Sequence, residues 1–94
     1  MFHVKIDEDG EILLSGRFDA AQVEKAKTVL TKISESSTVN FEELEYISSA
    51  GLGLLLATQK RLSESGNDLR LINMNKHIRD VFRYSGFDTI FEIE

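Results

Sequence analysis

Cysteine and proline are both missing from this chain of 94 residues. Without cysteine there is no disulfide, no thiolate metal site and no cysteine nucleophile. That fits a reducing compartment, and the expectation is a cytoplasmic protein. Without proline, and with no low-complexity tract or internal repeat, no segment reads as a linker. Long apolar runs are also missing. The longest, residues 50–57 (AGLGLLLA), is far short of the ~20 residues that cross a bilayer. The opening MFHVKID reaches its first acid before an apolar core of a signal peptide forms, so no leader is expected. Positive charge is scarce. Lys and Arg total 11 against 16 Asp and Glu, a net charge of -5, so the chain does not gather a phosphate backbone by general electrostatics.

What is present suits one folded unit. Hydrophobic residues make up 41% and charged residues 29%, ordinary values for a globular domain and too apolar for disorder. A chain of this length buries roughly 60–65% of its unfolded surface, enough for one core and not for two. One domain over residues 1–94 is expected.

Periodicity gives the elements. Residues 2–6 and 11–15 read as two strands of a hairpin around Asp7-Glu8-Asp9-Gly10, with Gly10 free to take positive φ. Asp19 is placed to cap a helix over residues 20–34, where Val23, Ala26, Leu30 and Ile33 recur at helical spacing. Residues 38–44 suit a third strand. A second helix is predicted over residues 50–65, with Leu52, Leu55, Leu56, Gln59 and Leu62 inward and Gly66 as its stop. Ala50, Leu54, Ala57 and Arg61 then face outward, with Ser49 and Gly53 on one margin. Residues 68–73 alternate as a fourth strand. Asn75 caps a third helix carrying Ile78, Val81 and Phe82, Gly86 ends it, and residues 89–93 are a last strand. The order β-β-α-β-α-β-α-β demands right-handed crossovers, hence a mixed, mostly parallel α/β sheet of four to five strands with helices packed on it.

Enzyme chemistry finds little support. His3 and His77 stand in different elements without metal-ligand spacing. Asp7, Glu8, Asp9 and Glu11 read as a solvated hairpin tip, not a calcium loop. Glu42 and Glu43 are adjacent on a strand, so alternation points them to opposite faces. Gly51-Leu52-Gly53 lacks the lysine of a phosphate loop, and Ser48 and Ser49 lack the glycine-flanked nucleophile elbow. The expectation is a non-enzyme without cofactor or metal.

One segment stands out. Gly51 and Gly53 fall in the first turn of a predicted helix, where each costs ~1 kcal/mol relative to alanine. Small residues there point to close packing or close approach by a partner. The two serines before them suit a cap, and a helix start also favours an anion. Leu54 among small residues beside Ser49 is either a docking patch or is covered by a neighbouring helix.

Taken together, Gly16-Arg17-Phe18-Asp19, the stretch YISSAGLG over residues 46–53, Lys60-Arg61-Leu62, Gly66, Leu69-Arg70-Leu71 and SGFDTIF over residues 85–91 resemble a STAS domain, the fold of anti-sigma factor antagonists, over nearly the whole chain. The resemblance implies a bacterial partner-switching protein. Such an antagonist sequesters an anti-sigma factor that is also a serine kinase of the histidine-kinase-like ATPase fold, and so releases a sigma factor to regulate transcription. Phosphorylation ends the binding, and a serine phosphatase resets it. Motif matching places Ser49 on the phosphoacceptor, with Ser48 as second candidate, and Asp19 on the acidic residue before the first helix. The partner surface implied includes Asp19, Ser49, Gly51, Gly53, Leu54 and Ala57, without nucleic acid or membrane insertion. Ser48 and Asn40 stand where the family usually has Asp. The alternative is an unphosphorylated STAS subunit docking on a membrane transporter or other signalling complex.

Overall fold

The computed structural model describes all 94 residues. Two strands open the chain, β1 (His3–Ile6) and β2 (Ile12–Phe18). They form the expected hairpin. Asp7 Oδ1 accepts from the amides of Asp9 and Glu11, and Gly10 takes a φ of 84° at the tip. β2 runs three residues further than its alternation predicts, through Gly16 at a φ of 83°. A side chain at Gly16 would collide with the Met1 carbonyl, so the start of the chain crosses over glycine.

The first helix is shorter than predicted. A 3-10 turn, Ala20–Gln22, capped by Asp19, leads into α1 (Val23–Leu30). β3 (Ser37–Ile47), α2 (Ser49–Ser63), β4 (Leu69–Ile72) and α3 (Lys76–Ser85) follow. A second 3-10 turn, Phe87–Thr89, takes up part of the expected last strand and leaves β5 (Glu92–Ile93) with two residues. The sheet order is β1-β2-β3-β4-β5, with β1 antiparallel and the remaining pairs parallel.

Each of the three crossovers steps one strand in the same direction. Right-handed connections of that kind place all their helices on one face. Alternate strand residues accordingly enter the core, namely Ile12, Leu14 and Phe18, Val39, Phe41 and Leu44, and Leu69 and Leu71, together with Ala26, Leu30, Leu55, Leu62, Ile78 and Phe82 from the helices. The other face of the sheet meets solvent.

Pairing of β2 with β3 slips twice. Leu13 pairs with Asn40 but Ser15 with Glu43, and Gly16 pairs with Leu44 but Arg17 with Tyr46. β3 thus carries an extra residue at each place, the mark of a β-bulge. The first bulge overturns strict alternation at Glu42 and Glu43. Both are exposed, and both line one groove on the open face. The second brings the Arg17 guanidinium 4.4 Å from the centroid of the Tyr46 ring.

Candidate functional site at the start of the second helix

The site is built where β2 and β3 end side by side. Phe18 pairs with Ile47, and the Ser48 amide donates to the Phe18 carbonyl at 2.8 Å. The next residues therefore leave the sheet together, Asp19 into its 3-10 turn and Ser48 into α2. This is the carboxyl edge of the parallel strands, where open α/β sheets present their sites.

The two serines divide the work. Ser48 is the cap. Its backbone is extended, its Oγ accepts from the Gly51 amide at 3.1 Å, and its carbonyl accepts from Leu52 at 2.9 Å. A hydroxyl does here what an Asp side chain does at other helix starts. Ser49 is the first helical residue and is exposed. No group of the chain holds its hydroxyl. The first turn of α2 contains no acidic side chain, so the amide end of the helix dipole is uncompensated beside Ser49. Asp19 is half-buried and accepts from the Ala21 amide at 3.1 Å. Its carboxylate stands on the neighbouring strand end and is engaged in its own turn.

The remaining predicted residues separate. Gly53 and Ala57 are exposed on α2. Gly51 is buried, and a Cβ there would lie 3.1 Å from Ile47 Cγ1 and 3.2 Å from the Phe18 ring. It seats the helix on the strand ends and lies off the exposed side of α2 that carries Gly53 and Ala57. Leu54 is half-buried and packs against the core, while Leu56, expected inside, is likewise half-buried. Thr58 is buried instead, its hydroxyl donating to the Leu54 carbonyl at 2.8 Å. Arg61 is exposed, as expected, yet its head is held. Its guanidinium donates to the Leu30 carbonyl at 3.0 Å and so closes the end of α1. Gln59 is inside as predicted, and its amide bridges Asp68 and the Leu69 amide.

Arg17 and Tyr46 flank the same strand ends on the open face, and their pairing escapes sequence reading because it depends on two bulges. Asn40 is tied down, donating to Glu11 at 3.0 Å and accepting from the Glu42 amide at 2.9 Å.

Comparison with known proteins agrees with this fold. The chain is 28% identical over 91 residues to the anti-sigma-B factor antagonist of Staphylococcus aureus, covering 93% of this chain and 84% of that protein. Its fold matches the crystal structure of TM1081 from Thermotoga maritima with a TM-score of 0.80 at 24% identity, over 99% of this chain and 85% of the other. It also matches the Bacillus cell fate determinant SpoIIAA in its phosphorylated form, with a TM-score of 0.71 at 22% identity, over 100% and 91% of the two chains. A family model described as "Mlab, STAS domain" matches residues 3–92, and the chain belongs to the STAS domain family.

Proposed function

We propose that this chain is an anti-sigma factor antagonist, a binding module switched by phosphorylation of Ser49. One observation carries the reading. Ser49 presents an exposed, unengaged hydroxyl on the first turn of a fifteen-residue helix whose cap is supplied by its neighbour Ser48. Modification of Ser49 thus leaves the cap intact. The S. aureus relative bears the name of such an antagonist, and SpoIIAA is known in phosphorylated and unphosphorylated forms.

The partner is an anti-sigma factor with serine kinase activity, and a serine phosphatase restores the free hydroxyl. The contact surface runs from Asp19 and Ser49 along Gly53, Leu54 and Ala57. The domain itself performs no catalysis. A phosphoserine adds ~1.5–2 negative charges. On the free domain the start of α2 accepts them, with ~0.3–1 kcal/mol in their favour. In a complex the phosphate is desolvated at the contact, and an unpaired buried charge costs several kcal/mol. A loss of ~3 kcal/mol is more than a hundredfold in affinity, because each 1.4 kcal/mol is tenfold. Glu42 and Glu43 stand farther back on β3, roughly 16–20 Å before Ser48 at ~3.3 Å per residue.

The test is affinity for the purified anti-sigma factor, with phosphate mapped by mass spectrometry after incubation with that kinase and ATP. Ser49→Ala is expected to bind constitutively and to take no phosphate. Ser49→Asp is expected to bind at least tenfold more weakly. Ser48→Ala is expected to lose ~1 kcal/mol of stability with its cap and still to be phosphorylated at residue 49. Equal affinities for Ser49→Ala and Ser49→Asp, or phosphate on Ser48 alone, overturn the assignment. Ala57→Lys probes the surface better than a change at Leu54, because Ala57 is exposed and Leu54 is part of the packing.

A further inference from the structure

The face of the sheet left bare by the helices holds a groove of about 610 Å³, within the range of small-molecule sites. Its floor is β2, with Leu13 and Ser15. One wall is β1, with His3 and Lys5. The other is β3, with Glu42 and Glu43. Register fixes the arrangement. His3 pairs with Ser15, and Ser15 with Glu43, so the three stand in one row across the sheet. Lys5, Leu13 and Asn40 form the next row. The first bulge is what supplies a second carboxylate to the wall. Asn40 holds that bulge, its Oδ1 accepting from the Glu42 amide and from Asn73 while its amide donates to Glu11. The wall charges have no such partners. The ion pairs of the chain are Arg70 with Glu92 and Glu94, and Asp80 with Lys76 and Arg83, so Lys5, Glu42 and Glu43 are unpaired.

From this geometry we infer that the groove binds a small zwitterion. The cationic end lies between Glu42 and Glu43, and the anionic end meets Lys5 and His3. The apolar stem rests on Leu13. Two strand spacings of ~4.8 Å set the walls ~10 Å apart. The exposed side chains on the two walls adjust over that span, so a short ligand with its opposite charges a few bonds apart meets both through charge-assisted hydrogen bonds. An isolated exposed ion pair contributes little, so occupancy depends on both ends engaging together. The site is independent of the Ser49 reading, because it lies on the sheet face and not on α2.

The probe is 4-aminobutanoate, with butanoate and butylamine as singly charged controls, titrated at low salt into the full chain and followed by amide NMR shifts. The zwitterion is expected to move the amides of His3, Lys5, Ser15, Asn40 and Glu43 and to bind at least tenfold more tightly than either control. Lys5→Gln, and Glu42→Gln with Glu43→Gln, are expected to bring it down to the level of the controls. All three side chains are exposed, so unchanged amide shifts in the helices confirm an intact fold. Equal binding of the three compounds overturns the inference, as does an absence of shifts in the groove or an unaltered affinity in the variants. Groove shifts that depend on protein concentration without ligand also overturn it, in favour of a second copy of the chain as occupant.

Discussion

Gly51 and Gly53 look alike in the sequence and differ completely in what surrounds them. A methyl group at 53 enters open space, whereas at 51 it presses on Ile47 and Phe18. Gly53→Ala is therefore expected to raise stability by up to ~1 kcal/mol, the helical cost of glycine. Gly51→Ala gains the same amount and then loses ~1–3 kcal/mol to overpacking, a net loss of about 1 kcal/mol. Urea unfolding of the two variants beside wild type measures both. A Gly51→Ala variant as stable as Gly53→Ala would mean that the strand ends yield to the helix. Because the fold does not require glycine at 53, unaltered partner binding by Gly53→Ala would remove that position from the surface. Sequence reading could see two costly glycines and two serines at a helix start. Which serine caps and which glycine packs depends on where the helix begins relative to the strand ends, and that is set by a tertiary hydrogen bond, Ser48 to Phe18.

Helix α3 shows how local signals carry an element to its correct place. Asn75 Oδ1 accepts from the Ile78 amide at 2.8 Å, Gly86 takes a φ of 80° at the other end, and both boundaries match the sequence expectation. Lys76 and Arg83 both reach Asp80. The Asp80 carboxyl is held below its ordinary value chiefly by the hydrogen bond from Lys76. Desolvation opposes this, and the charges of Lys76, Arg83 and His77 add to the lowering, so the net shift is downward. Its stabilising effect is complete above the ordinary carboxylate range and is lost as pH falls through the lowered folded value. Asp80→Asn is expected to remove that acid-dependent part of the α3 stability while leaving the neutral-pH fold intact. Hydrogen exchange of the α3 amides at several pH values reads it, and the effect is small because the pair is exposed and screened. The same acid sensitivity in wild type and variant would assign it to other carboxylates. Strand β3 is the opposite case. Alternation placed Glu42 and Glu43 on opposite faces, and the bulge put both in the solvent, because bulges answer to the neighbouring strand and leave no local signature.

At the scale of the molecule, the alternation of strands and helices was enough to read an α/β sheet with three crossovers, and handedness then placed the helices on one side. The reach of the terminal segments was not legible, since it rests on single aromatic contacts. Phe2 stacks on Phe18 with centroids 4.7 Å apart, and the Phe2 carbonyl accepts from Lys25 at 2.8 Å. At the other end Phe91 meets the edge of Phe82 at 5.6 Å, and Phe82 meets Phe41 at 6.0 Å. Strand β5 has only two residues, so its place depends more on the buried Phe91 side chain than on its ladder. Phe91→Ala is expected to cost about 3 kcal/mol, the low end for a buried phenylalanine because a terminal segment can settle into the space. That is a large share of the ~5–14 kcal/mol typical of a domain this long. The neighbouring Ile90, 44% exposed, is the control, and Ile90→Ala should stay within about 0.5 kcal/mol. Urea unfolding should show a lower midpoint at unchanged slope for Phe91→Ala. Hydrogen exchange should first lose protection at the Glu94 amide, which donates to Leu71 at 2.9 Å. A wild-type midpoint together with fast exchange confined to β5 would make the last strand a separable flap, and the core would then end at Phe82.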